Sequence, residues 1–327
     1  MTSTDTRGGP PQTGRRPEAS RPARRRPRPP RSVIQRGSAR LGWAFASPAL
    51  LVVAAVMIFP IVFSVVMSLS NVNVTGNGFQ LSGLTTHNYS ILFGSPRYWH
   101  DLEFTATYTV VTVTIEMMLG TLVALVLERL TRARGWMMAL LLMPWALITV
   151  VSAELWAYIY NGVYGMLEAG LNTVGVHGVD VLGTPLQASI AMGVADVWKT
   201  TPFVAIMVLA GLVMLPADVV EAARIDGASA WTIFWRVRLP LLRPVLAVAV
   251  MFRILQAFGI FDLPYVLTGG GPGTSTETLA VLGYKVLFND LEFGPGAAVA
   301  ASTALIVLVV CLLFLKVFRT QVAEQEG

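Results

Sequence analysis

Apolar runs too long for the core of a soluble domain dominate this chain. A helix crosses the ~30 Å hydrocarbon core of a bilayer with about 20 residues. Six segments reach that length: 41–70, 103–127, 136–160, 186–215, 241–267 and 296–318. Only 13% of the 327 residues are charged and 54% are hydrophobic, against about 25% charged in a soluble domain. No water reaches the backbone inside a bilayer, so each run must satisfy its own N–H and C=O groups as a helix. The predicted class is an all-α membrane protein of six transmembrane helices, with Pro60 marking a kink inside span one and Pro144 and Pro202 lying inside spans three and four. Polar, glycine-bearing connectors, 71–101 and 161–185, come after the first and third spans.

Six spans place both termini on one side, and Lys and Arg decide which side that is. The N-terminal tail, Arg129, Arg132, Arg134, Arg224, Arg236, Arg238, Arg243, Lys316 and Arg319 fall on one face; the three opposite connectors carry only Arg97 and Lys285. Both termini are therefore expected in the cytoplasm of a multi-pass protein of the cell membrane. Residues 1–40 form an Arg/Pro-rich tail, read as disordered, before a membrane domain over 41–320 and a short cytoplasmic tail at 321–327. The tail has no apolar stretch of the kind a cleavable signal needs, because arginine recurs up to Arg40. A solvated tail is one reading of it and contact with anionic membrane lipid the other; the net charge of +5 does not make it a nucleic-acid binder. Cys311 has no second cysteine to pair with, and the three histidines are too scattered to suggest a metal site.

Between the fourth and fifth spans lies a polar, helix-forming island, 216–240, on the expected cytoplasmic side. Asp218 can cap a short helix, with Glu221 three residues on in the capping-box position. Ala222 and Ala223 leave a small surface that another backbone can approach. Arg224 and Asp226 come next, Gly227 can supply a left-handed helix end, Ser229 can start a second helix, and Pro240 closes the segment.

The order Glu221-Ala222-Ala223, three residues, Gly227, nine residues, Val237, one residue, Leu239-Pro240 resembles the signature of ABC-importer permeases, with Val237 where isoleucine is usual. The resemblance implies the type I importer permease fold and makes this island the coupling helix that docks on a separate ATPase. Phe261-Asp262, Tyr265 and Leu267-Thr268-Gly269-Gly270, together with Trp198-Lys199-Thr200-Thr201-Pro202-Phe203, resemble the carbohydrate-uptake group of those importers. The run Val197–Phe203 and the stretch Asp226–Trp231 look most like the first permease of actinobacterial trehalose importers. The same resemblance implies a second, different permease, two copies of an ATPase that hold ATP and magnesium, and an extracytoplasmic, lipid-anchored sugar-binding protein. This chain would then bind no cofactor or metal and have no catalytic residue; it has no Walker motif.

Ionisable groups inside spans are costly and face a bundle interior or a wet cavity. Asp196, Lys199 and Thr200 share one face of the fourth span, where the first two can neutralise each other. Arg253 and Gln256 share a face of the fifth, with Asp262 further round. A sugar path needs such groups and flat aromatic surfaces, which Trp198, Phe203, Phe258, Phe261 and Tyr265 can supply. Asp196, Trp198, Lys199, Thr200, Arg253, Gln256, Phe258, Asp262 and Tyr265 are the substrate-path candidates. Packing pairs between helices are the competing reading, above all for Glu116 and Glu154. The loop Thr268–Gly273 reads either as a flexible connector or as part of the exit, and it is not a phosphate loop. Other cargoes (another oligosaccharide or glycerol-3-phosphate) and a proton-coupled secondary transporter remain as alternatives.

Overall fold

The computed structural model describes residues 33–76, 78–130, 132–175, 177–178 and 180–323. Two units divide the chain after Ile58. The first contains α1 (Val33–Val53), which runs into a wide π turn at Ala54–Ile58. Its large apolar side chains, Trp43 and Phe45 among them, are exposed, as suits a helix surrounded by lipid. Helix thus starts eight residues ahead of the boundary read at residue 41; tail residues 1–32 and 324–327 lie outside the described residues.

The second unit begins with α2 (Phe59–Ser68), a hairpin of β1 (Ser70–Thr75) and β2 (Gly78–Leu84), and α3 (His87–Gly94). The hairpin is antiparallel, with Val72 opposite Leu81 and Thr75 opposite Gly78. Then come α4 (Pro96–Arg129), α5 (Arg134–Ala146), α6 (Thr149–Tyr160), α7 (Met166–Thr173) and α8 (Pro185–Val213). The short α9 (Ala217–Ile225) and α10 (Ala230–Ile233) lead through a π turn at Phe234–Arg238 into α11 (Leu239–Phe258). Finally α12 (Asp262–Leu267), α13 (Leu279–Tyr284), a π turn at Lys285–Asn289 and α14 (Phe293–Ala323) complete the chain.

Among the described residues five helices are long and apolar enough to cross a membrane: Trp43–Ser68, Pro96–Arg129, Pro185–Val213, Ala230–Leu267 and Phe293–Lys316. A sixth span exists only if α5 and α6 are taken together, and these meet at a 90° bend. The continuous third span expected over 136–160 is therefore broken. Pro144 has no N–H to continue the α5 ladder, and Leu147 and Ile148 adopt extended backbone. The fifth span is longer than expected: helix extends back to Ala230, 38 residues in all, so one end of it exceeds the bilayer core.

Helices α4 and α8 form the central pair, with α11 packed on both and α14 on α2, α3 and α13. Small residues allow this closeness. A Cβ on Gly120 of α4 would stand 2.6 Å from Val204 Cγ1 and 3.1 Å from the Ala205 backbone nitrogen on α8. Around it Ala124, Leu127, Val208, Leu212 and Leu242 are buried. Overpacking such a contact costs about 1–3 kcal/mol. Gly120→Val should accordingly lower the melting temperature of the detergent-purified protein, and Gly120→Ala should do so less; an unchanged melting curve for Gly120→Val would show that α4 and α8 do not meet here.

Candidate functional site

The island between the fourth and fifth candidate spans folds as a helix with a specific ending. α9 is capped by Pro216, not by Asp218, which sits in the first turn with no cap bond to a backbone N–H. Glu221 consequently lies past the capping-box position. Asp218 still favours the helix by placing negative charge near its N-terminus. At the other end the Ala228 N–H bonds the Ala223 carbonyl and the Gly227 N–H the Arg224 carbonyl, each at 3.0 Å. This pair of bonds is the Schellman motif, which requires a left-handed residue at Gly227; its φ is +77°. Open space surrounds the position where a Cβ would be, so conformation and not crowding selects glycine. Ser229 Oγ accepts from the Thr232 N–H at 3.2 Å and starts α10.

Pro240 does not end the segment. It lies in the first turn of α11, directly after the π turn in which the Leu239 N–H reaches the Phe234 carbonyl. Proline offers no N–H there, and the wide turn absorbs the loss. Arg238 Nη1 donates to Glu128 Oε2 of α4 at 2.7 Å and ties the island to the bundle. Of α9 only Val220 is buried, whereas Glu221 and Ala222 are exposed and Ile225 is 82% exposed. The nine-residue helix thus leaves its isoleucine bare beyond a long apolar span.

A second cluster lies inside the bundle. Arg253 of α11 grips Glu116 of α4 with two parallel bonds, Nε to Oε2 and, at 2.8 Å, Nη2 to Oε1. Its Nη1 donates to Gln256 Oε1 at 2.8 Å, and Nη2 lies 3.6 Å from Asp196 Oδ2 of α8. Thr200 donates to Glu116 Oε1 at 2.6 Å and Tyr108 to Asp196 Oδ2 at 3.2 Å. Asp196, Thr200, Glu116 and Arg253 are all buried and satisfy one another's polar atoms. Bidentate geometry of this kind is the strong form of ion pair. The structure therefore brings Asp196, Thr200, Arg253 and Gln256 together and adds Glu116 and Tyr108.

The other path candidates stand apart. Lys199 does not neutralise Asp196; its ammonium reaches the Leu147 carbonyl that the α5–α6 break leaves free. Asp262 accepts from Thr149 of α6. Trp198 meets Trp156 edge-on at 5.6 Å, and Trp145 stacks with Phe203 at 5.9 Å. Phe258 is buried among Leu92, Tyr98, Leu279 and Leu282, so it packs the interior instead of presenting a face. Tyr265 stacks on Phe261 at 5.1 Å and meets Tyr284 edge-on at 5.0 Å, part of its ring remaining open.

The glycine-rich loop after α12 is not a slack connector. Glu277 is completely buried in it and accepts from Arg97 Nε and Nη2 at 2.8 and 2.9 Å and from Lys285 Nζ at 2.8 Å. Lys285 also reaches the Gly269 carbonyl at 2.8 Å, and Thr276 Oγ1 bonds the Gly271 carbonyl at 2.7 Å. Sequence reasoning misses Glu277, which carries no periodic signal. The available clue is that Arg97 and Lys285 are the two basic residues on the unfavoured side; both serve this one carboxylate. Burial pushes that carboxyl up, but the hydrogen bonds from Arg97 and Lys285 prevail and hold it below the ordinary glutamate value. A depressed value means that the tether is at full strength near neutral pH and weakens as the pH falls below about 4.5.

Three experiments test these contacts. Gly227→Pro removes the Gly227 N–H bond and the left-handed residue, and should cut transport at least about tenfold while the protein stays in the membrane; wild-type transport would exclude α9 as a docking element. Glu116→Leu should destabilise the bundle by about 3–5 kcal/mol because it leaves Arg253 charged and buried, with Glu116→Leu/Arg253→Met recovering much of the loss in thermal unfolding. Thermal stability of the detergent-purified protein should fall as the pH drops below about 4.5, and Glu277→Gln should start less stable at neutral pH and lose part of that dependence; an identical acid profile in Glu277→Gln would show that this carboxylate is not the tether.

Known proteins resemble this chain in sequence and in fold. Residues 116–320 match the family described as binding-protein-dependent transport system inner membrane component. The trehalose/maltose transport system permease protein MalF of Thermococcus litoralis is 38% identical over 288 residues, 88% of this chain and 97% of that protein. The trehalose transport system permease protein SugA of Mycobacterium tuberculosis is 37% identical over 284 residues, 85% of this chain and 89% of its own length. Among solved structures, a bacterial alginate ABC transporter in complex with an alginate pentasaccharide-bound periplasmic protein shares the fold, with a TM-score of 0.74 at 18% identity over 86% of this chain and 94% of the matched one. The chain belongs to the binding-protein-dependent transport system inner membrane component family and is an ABC-importer permease, a transport subunit and not an enzyme.

Proposed function

We propose that this chain forms half of the membrane path of an ATP-driven sugar importer and that trehalose is its cargo. Two relatives above 35% identity that are named for trehalose carry the cargo reading. The carrying observation for mechanism is α9, a short helix with a bare apolar end between two membrane-crossing helices. It docks on one of two ATPase copies that hold ATP and magnesium. A second, different permease completes the path, and an extracytoplasmic, lipid-anchored binding protein delivers sugar at the opposite mouth. A solved relative of the same fold captured with a sugar-loaded periplasmic protein supports that last partner. Both termini and α9 face the cytoplasm, a reading that the Lys and Arg distribution supports.

ATP closes the ATPase pair and moves α9 with it. α9 is held to the bundle through the Arg238–Glu128 bond and the helical run from Ala230 to Phe258, so the displacement is transmitted to the α11 end of the path. Alternating access then consists of shifting the balance between inward-open and outward-open states. Asp196, Lys199, Thr200, Arg253, Gln256 and Asp262, with Trp198 and Tyr265, border the path, and Phe258 packs behind them. Arg253 and Asp196 hold its wall; Trp198 and Tyr265, partly exposed, offer ring faces to sugar. Membership of a binding-protein-dependent family argues against the proton-coupled carrier.

The test is uptake of labelled trehalose by the complete complex in liposomes, with maltose and glycerol-3-phosphate as competitors. The expected result is ATP-dependent uptake that neither competitor suppresses. ATP-dependent uptake of another solute would keep the class and discard trehalose, and uptake driven by a proton gradient without ATP would discard both.

A further inference from the structure

A groove of about 830 Å³ opens between α4 and the α10–α11 segment. Its walls are apolar: Met118, Leu122 and Leu125 on one side, Trp235, Leu239 and Leu246 on the other. At one end it meets Arg129, Arg224 and Arg238, with Glu128 the acidic residue among its lining. Glu128 is already bonded by Arg238 Nη1, while Arg238 Nε is buried without a partner among the described residues. Among the described residues no carboxylate pairs with Arg129 or Arg224, so the end of the groove carries excess positive charge. Trp231 and Trp235 meet edge-on at 5.5 Å beside it, the residue type that settles where headgroups meet hydrocarbon.

The depth of the groove selects its occupant. Met118 lies eleven residues from Arg129, about 17 Å along the helix, and Leu246 lies eight residues from Arg238, about 12 Å. Half of a bilayer core is about 15 Å. The apolar walls therefore run for one leaflet and stop. A helix of a partner permease would call for a groove of full membrane depth and has no use for three arginines at one end. A phospholipid of one leaflet needs an apolar channel of this length and cations at its mouth.

We propose that this groove binds one anionic phospholipid of the cytoplasmic leaflet, with acyl chains along Met118–Leu125 and the phosphate on Arg129, Arg224 and Arg238. The side of the membrane rests on the orientation proposed for the importer. Because Arg224 belongs to α9, the headgroup would bridge α9 to α4 next to the docking surface.

The complete complex is reconstituted with a phosphatidylglycerol bearing a photoreactive group on its acyl chain, and in parallel with phosphatidylcholine bearing the same chain. After irradiation, the labelled peptides are mapped. Phosphatidylglycerol should label 117–125 and 239–246 several times more than phosphatidylcholine. Arg129→Gln and Arg224→Gln should each lower that labelling about fivefold, and Leu122→Trp should lower it by filling the groove without changing charge. Equal labelling by both lipids would overturn the proposal, as would groove residues that fail to label while Leu122→Cys crosslinks to a neighbouring polypeptide. Sugar uptake is measured on the same samples. Preferential labelling that persists where ATP-dependent uptake fails would uphold the lipid site and overturn the importer reading.

Discussion

The grip of Arg253 on Glu116 is the interaction on which the bundle depends. A guanidinium and a carboxylate at membrane depth are tolerated only together, since the cost of leaving either alone exceeds that of losing an ordinary contact several-fold. The pair joins α4 to α11, Asp196 and Thr200 add α8, and Tyr108 closes the network back onto α4. The three helices that carry the network are those packed on one another around Gly120 and Val204. Apolar packing alone discriminates little between helix registers in lipid, because lipid tails are as apolar as leucine. A two-bond polar match fixes the register.

The same rule explains the places where helix gives way. At the α5–α6 break the backbone leaves the helical ladder, and Lys199 comes from α8 to satisfy the Leu147 carbonyl. In the loop after α12, Glu277 gathers two cations and holds a glycine-rich turn in one shape. Irregular backbone is tolerated near the membrane when side chains complete its hydrogen bonds. Against this braced interior α9 is sparsely held, with a single buried side chain. The lever role proposed for α9 calls for few contacts of its own with the bundle.

Much of this is legible in the sequence, and the failures have physical causes. Hydropathy locates the spans because insertion into lipid is a property of whole segments. It does not show that the third span, with Pro144 inside it, breaks at 90° between Ala146 and Thr149, since proline inside a membrane helix kinks or breaks it according to what neighbours can satisfy. Residue type and spacing find the α9 segment but misplace its cap: Pro216 leads the helix, and Asp218 falls inside the first turn. The hairpin escapes a reading made for helices, although Gly76-Asn77 between alternating runs is a hairpin signal. Tertiary contacts separate the polar candidates. Arg253 and Asp196 meet, while Lys199, with the reach to choose, takes a free carbonyl. Phe258 is core because periodicity cannot tell a ring that packs inward from one that lines a path.

The central claim is that α9 is covered by another subunit whenever the transporter is assembled. Ile225, largely bare in the chain by itself, reports on it directly. The most direct measurement is modification of Ile225→Cys by a water-soluble maleimide, in the isolated chain and in the complete complex, with and without ATP. The account predicts rapid labelling of the isolated chain, strong protection in the complex, and a crosslink from this position to the ATPase. Labelling that proceeds equally fast in the assembled, ATP-driven transporter would contradict it.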